Sequence, residues 1–165
     1  MKRGIHVLLL AIVLSFLPVA ALAGHYDVAV TGLVDETVAA RLAGHGIRST
    51  RELWDRTRTS KDRASLAAKM KVKPAEVQRW HDFCDLLRLD GVGPKVARIM
   101  THAGVSNLSV LVSRQPDELA AAIVAVRDKV PELGKLPDRD NLQSWINQAA
   151  ALLKSDAAPA GGGAR

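Results

Sequence analysis

Apolar residues between positions 35 and 154 recur with the spacing of one face of a helix, and Gly, Pro and capping residues separate the segments. No stretch alternates apolar and polar residues with a period of two, which is the pattern of a half-buried strand. The pattern therefore predicts an all-α fold. The predicted helices are Asp35–Ala43, Thr50–Thr57, Ser60–Met70, Pro74–Arg88, Pro94–Ala103, Asn107–Ser113, Pro116–Arg127 and Arg139–Lys154.

Several of the predicted helix ends have a local physical cause. Ser49 followed by Glu52 has the spacing of a capping box, and Ser106 is expected to cap the segment NLSVLV. Gly46 and Gly104 are predicted to end helices in the left-handed conformation, which a Cβ would disfavour. Three prolines suit the first position of a helix, where no backbone N–H is needed. They are Pro74, Pro94 and Pro116.

The chain contains an internal repeat. The segment VAARLAGHGIRSTREL aligns with VARIMTHAGVSNLSVL at an offset of 58 residues, and VQRWHDFCDLL aligns with LQSWINQAAALL at an offset of 65, so the second repeat carries an insertion around residues 130–137. The repeats span about 30–88 and 86–154, and each is too small to bury its own apolar face well. We therefore expect them to pack as one domain over residues 35–154. The aligned pairs are Val38 and Val96, Ala39 and Ala97, Leu42 and Met100, Gly46 and Gly104, Ile47 and Val105, Leu53 and Leu111, and Trp80 and Trp145.

The two ends of the chain have compositions unlike the domain. Residues 1–23 carry two cations, then an apolar run that ends in Ala-Leu-Ala, and predict a signal peptide cut after Ala23. The mature protein would be periplasmic or secreted, with a net charge of +4. An alternative is an uncleaved leader that tethers the module to the inner membrane, facing outward, because residues 5–23 are long enough to span a bilayer. Residues 24–34 form a lead-in segment, and residues 155–165, rich in Ala and Gly, predict a disordered tail.

The charge of the whole chain is +6, and it is unevenly distributed. Residues 41–79 hold eleven Lys or Arg and four Asp or Glu, whereas residues 80–165 hold ten of each. Such a basic segment permits an anionic partner, although a solvated helical face is the alternative interpretation. Seven of its cations are candidates for an auxiliary basic surface. They are Arg56, Arg58, Lys61, Arg63, Lys69, Lys71 and Lys73.

The candidate binding motif is the segment Gly91-Val92-Gly93-Pro94-Lys95, which joins two predicted helices. The glycines allow a tight reversal of the chain with positive φ. The backbone N–H groups of Val92, Gly93 and Lys95 are then predicted to point outward at the N-terminus of the following helix, an arrangement suited to a phosphate. Val92 is expected to fill the inside of the hairpin, while Lys95 and Arg98 assist binding.

The segment LDGVGPKVARIMTHAGV resembles the helix-hairpin-helix motif. Residues from about 30 to 153 resemble the bacterial two-repeat helix-hairpin-helix family catalogued as a domain of unknown function. The segments that carry this resemblance are LLRLDGVGPKVARIMTHAGVSNLSVLVSRQPDEL, KLPDRDNLQSWINQA and VKPAEVQRWHDFCDLL. It implies a helical fold and, by analogy, binding to nucleic-acid backbones without sequence specificity. It implies no catalytic residues.

The first repeat departs from this pattern. It has Gly32-Leu33-Val34-Asp35-Glu36-Thr37, which lacks the second glycine and places two acids where a phosphate would lie. The acids Asp35 and Glu36 are better explained as favourable charges in the first turn of a helix. We therefore expect the first hairpin to be structural and the second to be the candidate site.

No catalytic or metal-binding constellation stands out in the sequence. Cys84 follows His81 by three residues, but a nucleophile would need a third orienting group and an exposed cleft, so a buried core cysteine is expected. The histidines lack metal-ligand spacing, so neither a metal nor a cofactor is expected. Trp80 and Trp145 are expected in the core, whereas Trp54 fits either the core or a base-stacking role.

Two functions fit these observations. The first is an exported, non-enzymatic module that binds the backbone of nucleic acid or another polyanion through the hairpin and the auxiliary basic surface. The second is a protein-protein interaction or scaffold module of the cell envelope, in which the hairpin only connects helices. The hairpin residues of the first hypothesis are Gly91, Val92, Gly93, Lys95 and Arg98.

Overall fold

The computed structural model describes residues 25–158, and over this range the regular elements are helices. In addition, Asp27 and Ser49 form one isolated antiparallel β-bridge. The prediction of an all-α fold is confirmed. The predicted leader, with its cut after Ala23, and residues 159–165 of the predicted tail lie outside the described residues. The α-helices are α1 (Glu36–Gly44), α2 (Thr50–Asp55), α3 (Ser60–Met70), α4 (Pro74–Leu86), α5 (Pro94–His102), α6 (Leu108–Val112), α7 (Pro116–Ala125) and α8 (Arg139–Ala157).

Within residues 25–158 there are also three short 3-10 turns, at Val28–Val30, Arg127–Lys129 and Pro131–Leu133. The first belongs to the predicted lead-in segment, where Val28 is buried against the domain. The other two lie between α7 and α8, and the second of them falls within residues 130–137, where an insertion was predicted. None of the helices within residues 25–158 is long and apolar enough to cross a membrane.

Most helix ends have the predicted caps. Ser49 and Glu52 form a reciprocal capping box, and the three prolines each begin a helix. Gly46 and Gly104 have φ values of +73° and +84°, one residue beyond the C-caps of α1 and α5. The prediction of Ser106 as a cap was wrong. The side chain of Asn107 caps α6 by accepting the N–H of Val110 at 3.0 Å.

The last helix extends further than the sequence indicated. Helix α8 continues to Ala157, so the predicted tail does not begin at Ser155. Asp156, in the final turn, forms a two-bond ion pair with Arg88 at the C-terminal end of α4. This contact joins residues 68 positions apart and stabilises the final turn of α8. The local sequence after Ser155 carries no signal of such a distant contact.

The core consists of two apolar clusters that meet at α4. Val77, Trp80 and Cys84 lie in the first cluster, together with residues of α1 to α3. Phe83 and Leu86 lie on the other side of the same helix, in a second cluster built with α5 to α8. Helix α4 is therefore a wall of both clusters.

Residues that the sequence alignment of the two segments pairs occupy similar environments. Leu42 and Met100 are both fully buried, as are the pairs Ile47 with Val105 and Leu53 with Leu111. The two tryptophans, Trp80 and Trp145, are also buried, as expected. A further pair emerges in the structure: the guanidinium groups of Arg56 and Arg114, also 58 residues apart, donate to the carbonyls of His45 and Gly104.

Candidate polyanion-binding surface

The second hairpin is held in place by α8. Gly91 has a φ of +79°, so the chain reverses through the left-handed region as predicted. The indole N–H of Trp145 donates to the carbonyl of Asp90 at 2.9 Å, and the side-chain oxygen of Gln148 accepts the N–H of Asp90 at 2.9 Å. The hairpin is thus fixed by two hydrogen bonds from one face of α8.

The amides of the hairpin are only in part available to a ligand. The N–H of Val92 donates to the carbonyl of Leu89 at 3.2 Å, so the prediction that it faces outward is wrong. Val92 is buried and fills the hairpin, as expected. Gly93 is the N-cap of α5, and neither its N–H nor that of Lys95 has an acceptor among residues 25–158. Two of the three predicted donors therefore remain at this helix end.

The cations of the hairpin are bound to the segment between α7 and α8. The Nζ of Lys95 donates to the carbonyl of Glu132 at 3.0 Å, and Arg98 forms an ion pair with the Glu132 carboxylate. Arg98 also packs against Gly32 of the first hairpin, and its Nε is buried. Arg98 is therefore an internal contact between the two halves, in contrast to the predicted role in ligand binding, and Glu132 reduces the positive potential at the hairpin.

The first hairpin has the structural role expected of it. Gly32 has a φ of +70°, and a Cβ there would lie 2.8 Å from a terminal nitrogen of Arg98. Asp35 is the N-cap of α1 and accepts the N–H of Val38 at 2.8 Å, while Glu36 lies in the first turn. Both acids stabilise the helix terminus.

The auxiliary basic surface is exposed and has few acidic neighbours. Six of its seven cations are exposed and Arg63 is half-buried. None of the seven forms an ion pair with a carboxylate of the described residues. Three of the four nearby acids are bound elsewhere in this half. Hydrogen bonds from the backbone of Arg48 and Ser49 lower the pKa of Glu52, the hydroxyl and N–H of Thr59 lower the pKa of Asp62, and Asp55 pairs with Arg51.

The structure divides these cations between two ends of α4. Lys69, Lys71 and Lys73 lie at the short turn that joins α3 to α4, at the N-terminal end of α4. The candidate hairpin follows the C-terminal end of the same helix. Thirteen residues of helix separate the two ends by about 20 Å. The three lysines and the hairpin therefore form two separate regions of the surface.

Arg58 and Arg63 lie nearer the hairpin end of α4. Arg63 donates from one terminal nitrogen to the carbonyls of Thr57 and Arg58, at 2.7 and 3.0 Å. The guanidinium of Arg58 lies 4.6 Å from the centre of the Trp54 ring, and that of Arg88 lies 4.2 Å from it. Trp54 itself is only 8% exposed. The alternative left open for Trp54 is settled in favour of the core, flanked by cations.

Lys71 has an uncommon backbone conformation. It follows α3 as its C-cap with a φ of +53°, the only residue other than glycine with positive φ among residues 25–158. Glycine is favoured at such positions, because a Cβ in the left-handed region costs about 1–2 kcal/mol. A lysine therefore occupies this exposed turn at a cost to stability, which is a pattern found at functional positions.

The described residues contain neither a reactive thiol nor a cluster of metal ligands. Burial raises the pKa of the Cys84 thiol far above its ordinary value, so the thiolate is strongly disfavoured. Burial also lowers the pKa of His81, whose Nδ1 lies 2.9 Å from the hydroxyl of Thr57. No group of three metal-ligating side chains occurs within residues 25–158. The sequence-based expectation of a core cysteine is confirmed.

The sequence did not indicate four residues that shape this surface. Trp145 and Gln148 hold the hairpin, Glu132 binds its two cations, and Asp156 binds Arg88. The unequal offsets of the aligned segments predicted an insertion that includes Glu132, but gave no sign of its partners Lys95 and Arg98. All five contacts of these four residues join positions more than 30 residues apart.

A comparison with protein families identifies the group to which the sequence belongs. The family described as Domain of unknown function (DUF4332) matches residues 33–152, well over half of the chain. The protein is a member of the DUF4332 family. The DUF4332 match begins at Leu33, within the first hairpin, and ends at Leu152, in α8, so it contains all seven cations and the whole of the second hairpin. No curated protein and no solved structure matches the chain.

Proposed function

We propose that this DUF4332 protein is a non-enzymatic module with two helix-hairpin-helix-type repeats that binds the backbone of nucleic acid or another polyanion without sequence specificity. The observation that carries the proposal is the set of seven first-repeat cations without carboxylate partners in the described range. Residues 41–79 have a net charge of +7, and three of their four acids are bound by hydrogen bonds or an ion pair. Lysines and arginines that neutralise backbone phosphates release the counterions of the nucleic acid, and this release favours binding.

The contact surface of this proposal differs from the one favoured by the sequence. The lysines of the α3–α4 turn are exposed and unpaired among the described residues, whereas Lys95 and Arg98 are bound to Glu132. The free amides of Gly93 and Lys95 are a secondary contact for a phosphate at the N-terminus of α5. The first repeat therefore supplies most of the affinity, and the second hairpin supplies a local contact.

The proposal places the protein outside the cytoplasm. Residues 1–23 have the sequence of a cleavable leader, with two cations, an apolar run and small residues before the predicted cut. The polyanion would then be extracellular or incoming DNA, or an anionic polymer of the envelope. Mass spectrometry of the protein purified from its host tests the leader, because retention of Met1 would indicate the tethered alternative.

Salt dependence tests the binding proposal directly. Fluorescence anisotropy with labelled duplex and single-stranded DNA should show binding at about 50 mM salt and a loss of at least tenfold in affinity at about 200 mM. Different sequences of equal length should bind with similar affinity. No binding to either DNA or heparin at the lower salt concentration would exclude the proposal.

Lys71 offers a variant whose weaker binding cannot be attributed to unfolding. Lys71→Gly should weaken DNA binding and, because it removes the backbone cost, leave the free energy of unfolding unchanged or raise it by up to about 1 kcal/mol. Lys71→Arg keeps both the charge and the Cβ, and should bind as the parent does. Equal affinity of the glycine and arginine variants would show that this turn is not a contact.

Lys95→Glu tests the hairpin separately. It places an acid beside the amides of Gly93 and Lys95, so a phosphate there would be repelled while the helical content is unchanged. The proposal predicts a smaller loss of affinity for Lys95→Glu than for the double variant Lys71→Gly and Lys73→Gln. The reverse order would identify the hairpin as the main contact.

A second function is favoured by one observation. A cavity of about 350 Å³ lies between the first hairpin and helices α4 and α5, with Leu33, Trp80 and Phe83 in its wall. An apolar side chain of a partner protein would fit there, as the scaffold alternative requires. Absence of polyanion binding at low salt, together with weaker association of a Thr101→Arg variant, at the exposed rim of this cavity, with an envelope partner, would favour this function.

A further inference from the structure

A cavity of about 290 Å³ lies where the end of α8 meets α2 and α4. Its wall combines two guanidinium groups with an indole, an imidazole and two carboxylates. This cavity is separate from the α3–α4 turn and from the second hairpin. The residues that line it are Trp54, Arg58, His81, Asp85, Arg88, Leu153 and Asp156.

Arg88 is the central cation of this cavity. Its side chain is only 17% exposed, and its two terminal nitrogens donate to the two oxygens of Asp156, at 2.8 and 2.9 Å. This parallel two-bond geometry is the one in which a guanidinium holds a phosphate or a carboxylate. Partial burial disfavours the charged form, but the bonds to Asp156 and Asp85 outweigh it and raise the pKa of Arg88. Arg88 is thus a preformed anion site occupied by a side chain of the same protein.

The two carboxylates bound to Arg88 differ in how firmly they are held. Asp85 lies on α4 itself, pairs with Arg88 at 2.8 Å, and its second oxygen accepts the N–H of Leu108 at 3.2 Å. Asp156 lies in the final turn of the last helix, and its side chain is 32% exposed. An acid at the C-terminal end of a helix is disfavoured by the helix dipole. Asp156 is therefore the carboxylate that an external anion can replace.

Arg58 supplies a second positive charge beside the same indole. The guanidinium groups of Arg58 and Arg88 both lie within 5 Å of the centre of the Trp54 ring. Arg58 has no carboxylate partner within residues 25–158. With Asp156 withdrawn, the cavity holds two guanidinium groups and one fixed carboxylate, a net positive site of a size suited to one phosphate group.

We propose that the cavity formed by Arg58 and Arg88 binds a phosphate group, and that Asp156 is an internal competitor that covers it in the free protein. A bound phosphate would take the two terminal nitrogens of Arg88 and the charge of Arg58, and the last turn of α8 would be released. The source of the phosphate is either a nucleic-acid backbone, which rests on the proposed function, or a free phosphate compound, which does not.

The test measures the affinity of the purified protein for pyrophosphate by isothermal titration calorimetry, with the Nε–H resonance of Arg88 as a local report. Asp156→Asn should tighten binding about fivefold, equivalent to about 1 kcal/mol. Asp140→Asn is the matched control, since it removes one negative charge from the first turn of the same helix. Arg58→Gln should weaken binding by a similar factor, whereas Lys129→Gln, at an exposed lysine outside both proposed binding surfaces, should not.

A second arm uses a labelled oligonucleotide with the same variants. Tighter binding by Asp156→Asn than by Asp140→Asn in both arms supports the site for phosphate in a nucleic-acid backbone. The same difference with pyrophosphate alone supports the site for a free phosphate compound, and the response of oligonucleotide binding to Lys71→Gly then decides the proposed function separately. A third outcome overturns the site and leaves the proposed function standing. In that outcome Lys71→Gly weakens oligonucleotide binding, whereas Arg58→Gln and Asp156→Asn change neither oligonucleotide binding nor pyrophosphate binding.

The variants remain informative if the end of α8 becomes less stable. Asp156→Asn keeps the size of the side chain, and the double variant with Arg58→Gln should lose the gain in affinity if both residues share one ligand. Retention of the full gain in the double variant would show that the effect of Asp156 is not exerted through this cavity, and would overturn the proposal.

Discussion

Gly91→Ala is the most direct test of the hairpin geometry. Gly91 has a φ of +79°, and an added Cβ would lie 3.6 Å from the indole nitrogen of Trp145, which is an ordinary van der Waals distance. The substitution therefore meets no steric clash, and its cost comes from the backbone conformation alone. A Cβ in the left-handed region costs about 1–2 kcal/mol.

The magnitude should appear in both equilibrium and thermal unfolding. A loss of 1–2 kcal/mol corresponds to a decrease in Tm of roughly 3–8 °C for a domain of this size. Gly91→Asn should cost less, because asparagine tolerates this region of the Ramachandran plot better than alanine does. Urea unfolding followed by circular dichroism measures all three proteins, and the slope m should be unchanged.

Gly44→Ala is the matched control. Gly44 is the last residue of α1, has no positive φ, and an added Cβ would meet no atom within 4 Å. There alanine should leave stability unchanged or raise it by up to about 1 kcal/mol, since glycine is the poorer helix former. If Gly91→Ala is as stable as the parent, or more stable than Gly91→Asn, the positive φ does not constrain the residue at this position.

Two further predictions concern buried polar contacts. Trp145→Phe removes the hydrogen bond to the carbonyl of Asp90 while keeping most of the apolar packing, and should lower the free energy of unfolding by about 1 kcal/mol in urea; no loss would show that the bond does not stabilise the hairpin. Burial lowers the pKa of His81 in the folded protein below 6.5, so the unfolded chain binds a proton at this residue more readily. The contribution of His81 to the free energy of unfolding is therefore constant above about pH 6.5, and it decreases as the pH falls toward the lowered pKa of the folded protein. A His81→Asn variant should lack this pH-dependent decrease in urea titrations, and an identical profile would contradict the assignment.

The helices were predictable because their ends are fixed locally. Pro74, Pro94 and Pro116 begin helices, and the spacing of Ser49 and Glu52 is sufficient to identify a capping box. Where two neighbouring residues can both cap, as at positions 106 and 107, sequence spacing does not decide between them. The choice there depends on the side-chain geometry that the rest of the fold imposes.

The candidate site was less predictable, because its electrostatics depend on distant partners. The motif around Gly91 correctly indicated a tight hairpin filled by Val92, but the sequence gave no sign that Glu132 binds both Lys95 and Arg98. It also did not show that α4 separates the lysines of the α3–α4 turn from that hairpin. Ion pairs between segments remote in the chain leave no periodic signal, so the charge of a surface cannot be read from the charge of a segment.

The position of α4 between the two clusters has a consequence for how the protein unfolds. Trp80 and Cys84 face one half, and Phe83 and Leu86 face the other, along a single helix of thirteen residues. Unfolding of either half alone would expose one apolar side of α4 to water, and this would destabilise the half that remains folded. The two clusters should consequently melt in one cooperative transition, because neither can lose its contacts with α4 without weakening the other.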